Sequence, residues 1–379
     1  MKILFLSNYF THHQKPLSDA LSARAEYTFW ETVPMETERL SMGWGLGELP
    51  AYVRRVSEDP EGAARAILEA DILITGSAPQ ALLKPRIRAG KPILRYSERP
   101  LKKGLEPTKY LPRLLRWHRW NPHGKPIYML CASAYTAGDY ARFGLFRGRA
   151  YKFGYFPECR RYPSLPDLMQ GKDRREILWC GRFLDCKHPD DAIEALRRLR
   201  AEGADCHLTM IGTGEMESLL KERVRACGLE EVVTLTGSMS PEAVRDRMEK
   251  AGIFLVTSDR REGWGAVLNE AMNSGCAVVA SRDIGSTPYL VREGENGLTY
   301  HAEDVDGLCH AIRRLLCEPE TQVRLGEAAY RTISEEWNAE VAAERLLTLG
   351  ECILRGERKP CPFETGVFSP ATAQDTRCE

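Results

Sequence analysis

The sequence predicts an α/β fold of two doubly wound domains that face one another across a cleft. Three observations carry that expectation. Short apolar runs alternate with amphipathic helical patterns almost from end to end, the signature of parallel sheets covered by helices on both faces. The runs fall into two series, separated at residues 156–175 by a Pro-containing, basic stretch without apolar periodicity. The length of 379 residues also suits two domains at ~100–200 residues each.

The first series places strands at residues 3–7, 27–30, 72–75, 93–95 and 127–130, with helices near 15–23, 62–69 and 134–143. The second places strands at 177–180, 207–211, 232–236, 253–257, 277–280 and 298–300. Its helices lie near 189–201, 216–226, 241–250, 264–274 and 305–316. The expected organisation is an N-terminal Rossmann-like domain over 1–160, a linker over 161–175 and a C-terminal Rossmann-like domain over 176–334. A helix over 335–355 follows, and a polar, aperiodic tail over 356–379 reads as disordered or loosely attached.

Composition narrows the function classes. Lys and Arg number 53 and Asp and Glu 53, so no global charge draws the chain to nucleic acid. The longest apolar runs fall far short of the ~20 residues of a membrane-spanning helix, and the N-terminal run is too short for a secretory leader. The 12 cysteines form no CxxC pair, the closest being Cys180 and Cys186, and several lie inside strand-like runs. Reduced thiols in a cytoplasmic protein are expected, with no metal site and no cofactor.

Familiar motifs are absent. Gly212-Thr213-Gly214 follows a strand, but Glu217 stands at the third position of GxGxxG, so dinucleotide binding is not expected. The turn reads equally well as a close approach to a nucleotide or as a tight strand-to-helix connection. Asp304-Val305-Asp306 reads as a helix cap rather than a metal ligand pair.

Three segments of the second series carry chemistry together. Gly181, Arg182 and Lys187 leave a strand, and two cations five residues apart can converge on one diphosphate, a fork and a point charge. Glu262, Gly263, Trp264, Gly265 and Glu270 bracket a helix N-terminus, where free N–H groups favour phosphate or sugar oxygens and a carboxylate suits a vicinal diol. Ser286 and Thr287 stand in a turn of small residues after the next strand.

Here the chain resembles the family 4 (group 1) glycosyltransferases of the GT-B architecture. Glu262 and Glu270 match the family's E-x7-E motif, and Arg182 and Lys187 its G-R-x4-K segment. Gly212 to Glu215 look like its glycine turn, and Glu293 to Leu298 like its closing turn. The resemblance covers about residues 177–316. It implies a retaining, metal-independent transferase moving a sugar from a UDP- or GDP-sugar to a glycan or lipid-linked acceptor in surface polysaccharide synthesis. Arg182 and Lys187 would hold the donor diphosphate and Glu270 the ribose diol. Glu262 and the backbone of residues 263–265 would hold the transferred sugar. The sequence departs from the family where His188-Pro189 follows the lysine in place of Gly, and where Tyr289 stands for Glu.

The acceptor side is less marked. His12, His13 and Gln14 follow the first strand, and Glu98 ends a later one, so His12, His13 and Glu98 are the acceptor candidates. Residues 84–125 hold 13 Lys or Arg against Glu98 and Glu106, with Trp117 and Trp120 interleaved. That pattern suits an anionic membrane surface, a peripheral location at the inner face, or a solvated face with Trp packed inward. A sugar-nucleotide 2-epimerase of the same architecture and a non-catalytic glycan- or membrane-binding homologue are the competing functions.

Overall fold

The computed structural model describes residues 1–35, 47–357, 360 and 362–372. They form two units, one of Met1–Glu158 joined by the chain from Asn338 onward, the other of Cys159–Trp337.

The first unit holds a seven-stranded sheet. Its strands are β1 (Lys2–Ser7), β2 (Glu26–Glu31), β3 (Val53–Arg55), β4 (Ile72–Thr75), β5 (Ile93–Ser97), β6 (Ile127–Cys131) and β7 (Ala150–Lys152). They are ordered β3-β2-β1-β4-β5-β6-β7 and pair in parallel throughout. The second unit holds β8 (Asp173–Cys180), β9 (His207–Ile211), β10 (Val233–Gly237), β11 (Ala251–Val256), β12 (Ala277–Ser281) and β13 (Leu298–Tyr300), in the parallel order β10-β9-β8-β11-β12-β13. Helices cover both faces of such sheets, so β4, β6, β11 and β12 are buried along their whole length and read as continuous apolar runs. In each sheet the strand order reverses once, between β1 and β4 and between β8 and β11. That reversal opens the crevice beyond the strand C-termini where open α/β sheets bind ligands.

Four differences from the sequence expectation bear on the frame of the molecule. Val53–Arg55 pairs as an edge strand although two exposed Arg make up most of it. The expected linker contains a helix, Leu165–Gln170, capped by Ser164, and β8 begins at Asp173 inside it. The basic stretch contains a helix, Pro107–Trp120, that runs through Pro112. Proline removes a helical N–H, but Pro112 is solvent-exposed while Leu114 and Trp117 pack on Leu101, Phe143 and Leu145, and this packing overrides the local penalty. Two cations of that stretch are internal. Arg86 is fully buried and donates to the carbonyls of Ile67, Ala70, Asp71 and Pro92, closing the end of helix Pro60–Glu69. Arg95 donates to Gln80, Asn121 and the carbonyl of Trp120.

The fourth difference concerns the C-terminus. Helix Ala339–Leu354 belongs to the first unit, where Gly350 lets it approach Met1 and Ile72 closely and Arg24 pairs with Glu340. The tail expected to be loose is ordered over residues 366–371. Val367 and Phe368 are fully buried, and Phe368 lies against Phe153. Lys152 N–H donates to Ser369 and Ala371 N–H to Ala150, so the segment pairs with the outer edge of β7, which β6 leaves open. Residues 358–359, 361 and 373–379 of that tail lie outside the described residues.

Candidate functional site

The site grows from the strand reversal of the second unit. β8 and β11 are neighbours, so the loops leaving their C-terminal ends are brought side by side. The first carries Gly181, Arg182 and Lys187, and the second carries Glu262 and Gly263 to Gly265 before helix Ala266–Asn273.

Lys187 and Glu262 form an ion pair with both side chains largely withdrawn from solvent, at 18% and 19% exposure. Ser258 donates to the same Glu262 oxygen at 3.4 Å. Arg182 is exposed, and while its carbonyl accepts from Leu184 N–H at 2.8 Å, its guanidinium makes no hydrogen bond or ion pair among the described residues and is available to an anion. Helix Ala266–Asn273 starts without a side-chain cap, from Gly265 in a left-handed conformation with φ 80°. Only glycine adopts that conformation at no cost, and a Cβ there would stand 3.0 Å from Ile284. Lys187, Glu262 and Gly265 line one crevice, so a helix N-terminus without a side-chain cap stands beside that ion pair, an arrangement able to bind a phosphate.

Glu270 lies on that helix and is half-buried. Burial pushes its carboxyl up from the ordinary value, while the guanidiniums of Arg245 and Arg160 draw it back. Cys180, at the end of β8, has its thiol pushed up to about 12, first by burial and then by the Glu270 carboxylate, with Lys187 opposing. Cys180 thus feels both candidate residues, which places Glu270 and Lys187 in one electrostatic neighbourhood, and the thiol stays protonated and inert.

The glycine turn resolves toward a structural role. A Cβ at Gly212 would stand 1.9 Å from the carbonyl oxygen of Gly181, and one at Gly214 would stand 2.5 Å from that of Phe183. Gly212 and Gly214 are needed so that the two loops can bond to each other, Phe183 N–H to Thr213 at 2.8 Å and Gly181 N–H to Ile211 at 3.0 Å. A Cβ at Gly181 would crowd the Trp179 ring at 3.2 Å, whereas the Lys187 stem at 3.4 Å would be in ordinary contact.

Trp264 can serve a donor through its backbone and not through its ring. Its side chain is fully buried between Tyr289 and Trp337 and donates from Nε1 to Asn269 at 2.8 Å, so only its backbone faces the loop. An indole this large is worth more inside than at a polar crevice. Ser286 and Thr287 are also buried, and their hydroxyls have no hydrogen-bond partner among the described residues. An orphaned buried hydroxyl costs about 1–3 kcal/mol, which a polar ligand beside Gly265 would recover.

In the first unit the three acceptor candidates share one cluster, joined by a residue that the sequence did not single out. Tyr155 donates to Glu98 at 2.7 Å and stacks on His13 with ring centroids 5.9 Å apart, while His12 lies 3.9 Å from His13. Lys102 pairs with the other oxygen of Glu98. Burial and the neighbouring His12 hold the His13 imidazole at about 3, so it is neutral at physiological pH. Glu98, bound at both oxygens, is poorly placed as a free base. Tyr155 follows a strand of only three residues, with nothing in its sequence context to mark it.

Among the described residues His188, Asp190 and Asp191 bring possible ligand atoms within 4.8 Å of one another. Their partners are internal: His188 faces Asp259 at 3.2 Å and Asp190 binds Arg223 at 2.8 Å.

Comparison with known proteins bears on the family and the fold. Residues 166–332 match the family model described as glycosyl transferases group 1. The chain is 30% identical over 174 residues to an alpha-D-kanosaminyltransferase of Streptomyces kanamyceticus, covering 46% of this chain and 45% of the relative. It is 25% identical over 180 residues to a GDP-mannose-dependent alpha-(1-6)-phosphatidylinositol monomannoside mannosyltransferase of Mycobacterium tuberculosis, covering 46% of each. The chain therefore spans about half the length of the curated relatives it matches. Among solved structures, Anabaena Alr3699/HepE in complex with UDP superposes with a TM-score of 0.69 at 16% identity, covering 92% of this chain and 98% of that one. The fold is the two-sheet α/β architecture of the GT-B glycosyltransferases.

Proposed function

With residues 166–332 belonging to the group 1 glycosyl transferases, we propose that the chain transfers a sugar from a nucleoside-diphosphate sugar to a glycan or lipid-linked acceptor, with retention at the anomeric carbon. The observation that supports this reading is the Lys187–Glu262 ion pair between the loops leaving β8 and β11, lining one crevice with Gly265 at the start of a helix at the strand reversal. UDP is the first donor base to test and GDP the second, since a structural neighbour is complexed with UDP and a relative is named for GDP-mannose.

In this reading Arg182, Lys187 and the free amides of residues 265–267 bind the diphosphate. They stabilise it most strongly as the bond to the anomeric carbon breaks and negative charge collects on the leaving oxygen. Glu262, held by Lys187 and Ser258, and the backbone of residues 263–265 take the sugar hydroxyls. Glu270 accepts hydrogen bonds from the ribose diol. The acceptor oxygen attacks the face that the diphosphate leaves, and its proton passes to a phosphate oxygen of that leaving group. His12, His13 and Glu98, with Tyr155, are the proposed acceptor side. The setting is cytoplasmic, at the inner face of a membrane, in surface polysaccharide synthesis.

The test is donor turnover without acceptor. Wild-type protein with UDP-glucose or GDP-mannose should release nucleoside diphosphate slowly, equally with and without EDTA. Lys187→Ala should release it roughly 100–1,000-fold more slowly while its melting curve is kept. Accumulation of an epimerised sugar nucleotide would replace the transferase reading with a 2-epimerase. Full turnover by the variant would remove Lys187 from the chemistry, and EDTA-sensitive turnover would return His188, Asp190 and Asp191 to consideration.

A further inference from the structure

Lys187 is followed by a residue in a conformation that L side chains rarely adopt. His188 has φ 44° and ψ 51°, in the left-handed region, and Pro189 comes next as the first residue of helix Pro189–Ala201. A proline disfavours right-handed geometry in the residue before it, so the chain can enter the helix here only through an extended or a left-handed residue. The residue before His188, Lys187, pairs across to Glu262 on the β11 loop.

Several contacts hold that turn in place. The His188 ring meets Asp259 at 3.2 Å through Nε2, and Nδ1 lies 3.9 Å from Asp191, so two carboxylates face it. Asp259 is itself gripped by Arg261, whose guanidinium also reaches Asp185 at 2.8 Å, on the other side of Lys187. Asp259 N–H donates to the carbonyl of Cys186 at 3.0 Å. Thr257 donates to the carbonyl of Lys187 at 2.6 Å and accepts from Trp179 Nε1 at 2.8 Å. The backbone is thus fixed before, at and after Lys187, from β8 and from the β11 loop, leaving the ammonium to project onto Glu262.

We infer that His188, tethered by Asp259, is a positioning residue that aims the Lys187 ammonium by holding the chain left-handed at this one place. The inference rests on the role given to Lys187 in the proposed transfer, and the backbone geometry behind it is independent of that role. A side chain that merely filled space would be replaced better by alanine than by glycine. A side chain that holds a left-handed turn predicts the opposite order. Glycine adopts the conformation freely, and asparagine tolerates it and can still bond Asp259. Alanine does neither.

The experiment compares His188→Gly, His188→Asn and His188→Ala, each checked by thermal melting. Glycine and asparagine should keep kcat for donor turnover close to wild type. Alanine should lower kcat roughly ten-fold, the left-handed penalty expressed as a rate, with little change in donor KM. Alanine performing as well as glycine, or better, overturns the inference. Crystal structures of wild type, His188→Gly and His188→Ala without nucleotide supply a readout that needs no activity. The Lys187–Glu262 pair should persist in the first two and be displaced in the third. An undisturbed pair in all three overturns the inference, and an inert wild type counts only against the proposed transfer.

Discussion

Glu270 shows how a residue can be kept at a cost to the fold. Its carboxyl is pushed up by burial, so at pH 7 the ionised form that a diol needs is the one the folded chain disfavours. The sign follows directly: the penalty is present above the carboxyl's folded pKa and disappears as pH falls below the unfolded value. Glu270→Gln should therefore raise the melting temperature at pH 7, with a smaller gain at pH 4, and raise the donor KM. An unchanged KM would put the ribose elsewhere. At this scale the meeting of Lys187 and Glu262 was legible, because both are charges on loops that leave the ends of neighbouring strands. Trp264 was not, since its place between two motif glycines says nothing about which way an indole turns. Tyr155 was missed for the same reason: its role depends on His13 and Glu98, far away in sequence.

Among the described helices of eight residues or more, Pro107–Trp120 alone buries no residue completely, and it was not expected from the sequence. Its Leu111 and Leu115, one turn apart, are 59% and 63% exposed. Arg116 and Arg119 lie exposed beside that apolar stripe, while Trp117 points inward toward Phe143. Cations next to exposed leucines suit an anionic bilayer surface. Vesicles containing phosphatidylglycerol should retain the protein, and vesicles of phosphatidylcholine alone should not. The Leu111→Glu/Leu115→Glu variant should lose retention with its melting curve intact, as should wild type in high salt. Equal binding to both vesicle types would end this assignment. The strands were easier to read than this helix because a buried parallel strand is a continuous apolar run, whereas two prolines within six residues read as turns until tertiary packing is known. The glycine turn was ambiguous for a related reason. A glycine that makes room for another loop and one that makes room for a phosphate look alike in sequence.

At the scale of the whole molecule, two strand orders each reverse once, and the clearest chemistry lies at one of those reversals. Alternation of runs and helices announced the sheets, but the return of the chain to the first unit could not be read that way. Helix Ala339–Leu354 and the buried Val367 and Phe368 find their partners in residues more than 200 positions earlier, and no local pattern records such a match. What depends on this architecture is a diphosphate seat beside β8 and β11. Calorimetric titration of UDP, and of GDP should UDP fail, onto wild type and Arg182→Ala tests that seat most directly. Saturable one-to-one binding that weakens at least ten-fold in the variant, the loss of one charged contact of about 1.5–3 kcal/mol, is the predicted result. Binding of neither nucleotide, or equal affinity in both proteins, would contradict it.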